Sequence, residues 1–128
     1  MTREQFEKLV NEGFEAIPEK FRIKIKNVAI LIDDAPSAEI RKRQKLASNE
    51  TLLGLYQGIP HTYRGDNYGI GATMPDIITI FQKAIEQQTA NDPEKIRKLV
   101  AEVIWHEYAH YFGMNEDEVR KKEGKRKN

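Results

Sequence analysis

The spacing of hydrophobic residues along the sequence changes twice within the first third of the chain. In residues 2–16 apolar side chains recur at steps of three and four, which predicts an amphipathic helix that ends near Pro18. Residues 22–26 then alternate between charged and apolar side chains, and residues 28–32 are all apolar. Because a continuous apolar run is typical of a strand covered on both faces, we expect residues 28–32 to form a central strand.

The middle of the chain carries two further strand signals between polar connections. Residues 52–56 and 77–81 are short and mostly apolar, which predicts two more strands. A charged, partly helical connection of residues 38–50 precedes them, and a glycine-rich aromatic loop of residues 58–74 separates them. After the last strand, residues 84–88 predict a helical turn.

A long helix is predicted near the C-terminal end. Asn91, Asp92, Pro93 and Glu94 form a start signal, because an Asx side chain caps a helix, proline fits its first position and an acid favours its first turn. Gly113 is the matching stop signal. Between these ends a core-facing stripe is predicted at steps of three and four: Ile96, Leu99, Val103, His106 and His110. A helix of roughly 20 residues spans about 30 Å, enough to cross a small domain and present its last turns to a cleft.

The order of these elements predicts an α+β domain. A small, mixed, twisted sheet is expected to pack on the N-terminal helix and on the long helix. With 128 residues, of which 39% are hydrophobic, the chain is long enough to bury one core. We therefore expect residues 1–128 to form a single domain, with a solvated charged tail from about residue 121.

Composition narrows the cellular setting and the classes of partner. The formal net charge of +1 gives no long-range attraction to nucleic acid or to a membrane surface. The absence of cysteine excludes disulfides and thiolate metal ligands. The N-terminus lacks an apolar signal region, and no segment approaches membrane-spanning length. We expect a cytoplasmic protein that binds neither nucleic acid nor membrane.

The pentapeptide from His106 to His110 reads His-Glu-Tyr-Ala-His and takes two of the three histidines in the chain. Four helical residues turn through roughly 400°, so the two imidazoles lie about 40° apart and one turn from each other. Both can therefore reach one Zn²⁺ ion, which binds imidazole nitrogen at about 2.0 to 2.1 Å and keeps an open position for water at catalytic sites. Glu107 can approach that water without binding the metal, which is the place of a general base.

A third ligand is expected just beyond the helix. Gly113 tolerates the left-handed conformation that turns the chain back, so that Glu116, three residues later, can approach the metal. Carboxylate oxygen is an acceptable third ligand in two-histidine zinc sites. Asp117 and His61 are the alternatives for this position.

With these residues in place, the chain resembles the small bacterial zincin-like proteins regarded as zinc metallopeptidases, whose pattern is H-E-x-x-H-x-x-G-x-x-D. The similarity extends, in the same order, over residues 5–10, 17–19, 27–28, 52–60 and 75–81. It implies a minimal metzincin-like fold, similar to the catalytic core of matrix metalloproteases, with one Zn²⁺ per chain and a peptide or protein substrate. The chain departs from the family in having Glu116 where aspartate is usual. It also has no methionine after the ligands except Met114, so the methionine turn of larger metzincins is missing.

The expected mechanism is hydrolysis of a peptide bond by a zinc-activated water, with Glu107 as general base. The developing oxyanion requires a further donor, and the candidates are His61, Tyr63, Arg64 and Tyr111. An extended peptide can bind by adding a strand to the sheet edge beside the metal, for which residues 52–58 and 77–81 are the candidates.

Two other classes of function remain open at this stage. One is a metal-binding module without peptidase activity. The other is a metal-dependent endoribonuclease, since small bacterial enzymes of that kind carry a similar histidine pattern. The near-neutral charge and the acid directly after His106 argue against the ribonuclease.

Overall fold

The computed structural model describes residues 1–25, 27–58 and 75–112 of the chain. In chain order these ranges contain α1 (Arg3–Glu15), α2 (Glu19–Arg22), β1 (Val28–Asp33), α3 (Ala38–Arg43), β2 (Gly54–Gln57), β3 (Asp76–Phe81), α4 (Gln82–Gln88) and α5 (Pro93–Tyr111). This succession confirms the predicted α+β class, with helices packed on a small sheet. No helix in the described ranges is long and apolar enough to cross a membrane.

The two long helices begin at side-chain caps. The hydroxyl of Thr2 accepts a hydrogen bond from the Gln5 backbone N–H at 3.1 Å, and the Gln5 side-chain oxygen accepts one from the Thr2 N–H at 2.9 Å. At the start of α5, the carboxylate of Asp92 accepts hydrogen bonds from the backbone N–H groups of Glu94 at 3.0 Å and Lys95 at 3.3 Å. The predicted start of the long helix is therefore confirmed.

Three strands form one mixed sheet in the order β1-β3-β2. β1 runs parallel to β3, with Val28 opposite Asp76, and β2 runs antiparallel to β3, with Gly54 opposite Ile80. β3 therefore pairs on both sides, and its Ile78, Ile80 and Phe81 side chains are fully buried.

The prediction that residues 28–32 form a central strand is wrong for the described sheet. Within the described ranges this segment lies at one edge, and Leu31 is 51% exposed. The central strand instead includes the polar residues Asp76 and Thr79, both of which are buried. An unbroken apolar run reports side-chain composition, whereas strand order is set by which backbones pair. The two need not agree.

Helix α5 packs against α1 through a buried stripe with a spacing of four residues. Each member of the stripe is at most 1% exposed: Ile96, Val100, Ile104 and Tyr108. The two helices approach closely at Gly13 of α1, where an added Cβ would lie 2.8 Å from Cδ1 of Ile104 and 3.3 Å from Cα of Ala101. A side chain at residue 13 would therefore force the helices apart.

The C-terminal end of α5 is held by aromatic contacts with α2. The Phe21 ring lies 5.3 Å from Trp105 in an edge-to-face arrangement and 5.6 Å from Phe112, measured between ring centroids. Such pairs contribute about 0.5–1.5 kcal/mol beyond the area they bury. The last turns of α5, which carry the two histidines, are thus fixed to the N-terminal part of the fold.

We expect Ile104→Ala to lower the free energy of unfolding by about 2–5 kcal/mol, because it leaves a cavity between α1 and α5. Urea denaturation followed by circular dichroism measures the effect. Lys98→Ala, at an exposed position of the same helix, is the matched control and should change stability by less than about 0.5 kcal/mol. Equal losses in the two variants would contradict the proposed packing of α5.

Candidate active site

The His106 and His110 side chains lie side by side on α5. Their ring centroids are 4.9 Å apart, with 72° between the ring planes, and both residues are half-buried. Imidazole nitrogen is a preferred zinc donor, and two imidazoles one helical turn apart are close enough to bind one ion. This pair therefore fits a zinc ion held by two nitrogen ligands.

The histidines do not continue the core-facing stripe as the sequence indicated. The fully buried stripe runs through Val100, Ile104 and Tyr108, and the centre of the histidine pair is rotated from the centre of this stripe by roughly 140° about the helix axis. Leu99, which was assigned to the same stripe as the histidines, is also only half-buried. The face of α5 that carries the histidines is thus set apart from the fully buried stripe.

Glu107 lies beside a cleft between α5 and the sheet. The cleft has a volume of about 350 Å³, and its lining consists of Thr51, Leu52, Leu53, Gly54, Glu102, Val103, His106 and Glu107. Glu107 is only 8% exposed although it is an acid. The cleft brings this acid together with the first histidine of the pair.

The sequence analysis missed two features of the cleft: Glu102 in its wall, and the close approach of α5 to Gly54, a residue considered only as part of the candidate edge strand of residues 52–58. Glu102 precedes His106 by four residues, and that helical spacing is the signal that could have placed both on one face. Gly54 is the first residue of β2, and a glycine in a strand often marks close approach of another chain segment. An added Cβ at Gly54 would lie 2.6 Å from Cγ1 of Val103 and 3.3 Å from Cγ of Glu107.

Of the two segments considered for peptide binding, only residues 52–58 include a strand with one edge unpaired within the described ranges. β2 pairs with β3 along one side, and its residue Gly54 lines the cleft. The candidate of residues 77–81 is wrong as an edge strand, because β3 pairs with a neighbour on each side.

Tyr111, the helical candidate for an oxyanion donor, belongs to an aromatic cluster. Its ring centroid lies 6.2 Å from that of Tyr56 and 5.3 Å from that of Phe112. The Tyr56 hydroxyl in turn donates a hydrogen bond to the carboxylate of Asp76 at 2.7 Å. Tyr111 follows His110 directly but is absent from the lining of the cleft.

The remaining sequence candidates lie outside the described residues. These are the stop signal and ligand candidates Gly113, Glu116 and Asp117, and the loop candidates His61, Tyr63 and Arg64. In the ranges that are described, no group of three or more histidine, cysteine, aspartate or glutamate side chains could hold a metal ion. If His106 and His110 hold a metal ion, a third protein ligand would have to come from outside those ranges.

A family model described as a zincin-like metallopeptidase matches residues 25–125 of the chain, well over half of its length. The matched segment includes all three strands, the cleft and both histidines. A search of curated proteins finds no significant match.

On the face of α5 away from the histidines, burial raises the pKa of Tyr108 to about 12, with a smaller contribution from the neighbouring Tyr111. Because the folded protein holds this phenol protonated more strongly than the unfolded chain does, its contribution to stability is complete below about pH 10. That contribution is lost as the pH rises towards 12.

We expect the wild-type protein to lose more stability between pH 9 and pH 11 than Tyr108→Phe does, measured by urea denaturation. Equal losses of stability in the two proteins would contradict the burial of the Tyr108 hydroxyl.

Proposed function

Because the chain belongs to the zincin-like metallopeptidase family, we propose that it hydrolyses peptide bonds at the cleft beside His106 and Glu107. The observation that carries the proposal is the convergence at one cleft of a nearly buried acid and the first of two adjacent imidazoles. A carboxylate directly beside an imidazole pair can serve as the general base for a metal-activated water.

We propose that His106 and His110 hold one Zn²⁺ ion, with Glu116 as third ligand and with Asp117 or His61 as the alternatives. The half-buried imidazole pair supplies two neutral nitrogen donors, which is the donor chemistry that zinc prefers. When bound, zinc lowers the pKa of a coordinated water to near neutrality and polarises the carbonyl that the water attacks.

In this proposal Glu107 takes a proton from the attacking water and passes it to the leaving amine. Its position suits both transfers, because it follows a ligand directly on the helix and lines the cleft where the substrate would lie. The narrow space around its side chain limits the orientations that the carboxylate can adopt. A general base held in one orientation avoids part of the entropic cost of the reaction.

The substrate proposed is an extended peptide or protein segment that lies along β2. Within the described sheet β2 is an edge strand, and a peptide can extend a sheet by pairing along such an edge. Leu52, Leu53 and Val103 give the cleft apolar walls that can cover one substrate side chain. The candidates for stabilising the oxyanion remain His61, Tyr63, Arg64 and Tyr111.

The finer assignments are part of the same proposal. A minimal metzincin arrangement agrees with a mixed sheet whose edge strand lies beside the histidine helix. We propose a cytoplasmic location, and the proposed absence of nucleic-acid partners agrees with the formal net charge of +1.

We expect Glu107→Gln to lower kcat for peptide hydrolysis by about 10²–10⁴-fold, because glutamine cannot accept the proton. Zinc content should stay at one ion per chain, since the ligands are untouched. Hydrolysis of a mixed fluorogenic peptide library and elemental analysis provide the two measurements. Glu94→Gln makes the same chemical change in the first turn of the same helix and should leave kcat unchanged.

Two results would contradict the proposed function. Full activity in Glu107→Gln would remove this residue as the base. A wild-type protein that binds zinc stoichiometrically but cleaves no member of the library would instead support the metal-binding module.

A further inference from the structure

Gly54 lies where β2 comes closest to α5. A Cβ built at this residue would meet three groups: Cγ1 of Val103 at 2.6 Å, Cγ of Glu107 at 3.3 Å and the backbone oxygen of Thr79 at 3.3 Å. Two of these groups belong to the histidine helix, and the third belongs to the central strand. The space that a side chain would need is thus already filled from both sides.

Two of the three groups that surround Gly54 cannot easily move to make room for a side chain at residue 54. Val103 is 7% exposed, and a β-branched side chain in a helix has one strongly preferred rotamer, so its methyl group cannot simply rotate away. The Thr79 oxygen is part of the backbone of β3, which pairs on both sides. The group with the most freedom to move is therefore the Glu107 side chain.

We propose that Gly54 is a positioning residue for Glu107. The bare backbone at residue 54 lies against the methylene stem of Glu107 and holds its carboxylate at the cleft beside His106. Any side chain at residue 54 pushes this stem away or moves α5 outward from β2. This inference rests on the proposed function for its catalytic consequence, but the contact itself can be tested without activity.

Gly13 offers a matched control at a different contact of the same helix. An added Cβ there would also be too close to α5, at 2.8 Å from Cδ1 of Ile104. Ile104 belongs to the stripe that faces α1, whereas Glu107 faces the cleft. Gly13→Ala therefore introduces a comparable steric conflict with α5 without touching the Glu107 side chain.

We expect Gly54→Ala to lower kcat by about 10–100-fold with a much smaller change in KM, because the base is displaced while the peptide-binding edge remains. Gly13→Ala should lower the melting temperature at least as much as Gly54→Ala does. It should nevertheless leave kcat within about twofold of the wild-type value. The double variant Gly54→Ala/Val103→Ala, compared with Val103→Ala alone, should recover most of the lost kcat, since it removes the closest clash. Zinc content should be the same in all variants.

A second readout uses the zinc-free protein. Three-bond couplings measured by NMR should show one Glu107 side-chain rotamer in the wild type and in Gly13→Ala. They should show averaged or altered rotamers in Gly54→Ala and the original rotamer again in the double variant. This readout supports or overturns the positioning contact whether or not a peptide is cleaved.

The outcomes separate this proposal from the proposed function. If the wild type cleaves peptides but Gly54→Ala behaves like Gly13→Ala in kcat and in Glu107 rotamers, the positioning role is wrong and the peptidase stands. If no variant cleaves peptides while the Glu107 rotamer changes only in Gly54→Ala, the positioning contact stands and the peptidase does not. Failure of the double variant to recover either property would also overturn the role of Gly54.

Discussion

The rotational setting of α5 about its own axis is the constraint on which the candidate site depends. Each residue turns the helix by about 100°, so a small rotation would exchange core and cleft residues. Such a rotation is opposed on the cleft side by Gly54 of β2, which meets Val103 and Glu107, and on the core side by the fully buried stripe that includes Ile104. A helix held at both sides presents its histidines and its acid in fixed directions, as a preorganised site requires.

The same packing explains how one helix serves both the core and the candidate chemistry. The stripe that faces α1 is fully buried, and the half-buried histidines are directed elsewhere. Between these two faces Glu107 is nearly covered yet lines the cleft. Aromatic contacts of Phe21 with Trp105 and Phe112 hold the final turns, where an isolated helix would fray. One helix thus carries both the core stripe and the candidate site, on different faces.

Local signals in the sequence predicted local features well. Asp92 and Pro93 defined where α5 begins because capping involves only neighbouring residues, and helical spacing alone placed the two histidines side by side. Features that depend on tertiary pairing were missed. Residues 28–32 were expected to be central because they are apolar, yet the backbone pairing makes β3 the central strand. The cleft roles of Glu102 and Gly54 depend on which segment faces them across space, which no single stretch of sequence contains.

The central claim is that His106 and His110 share one metal ion on the face of α5 that the packing directs away from the core. Its most direct test is the zinc content of purified protein by elemental analysis, compared between the wild type and His110→Ala. The account predicts one zinc per chain in the wild type and loss of that zinc in His110→Ala, with an unchanged circular dichroism spectrum. An equal zinc content in both proteins, or none in either, would contradict it.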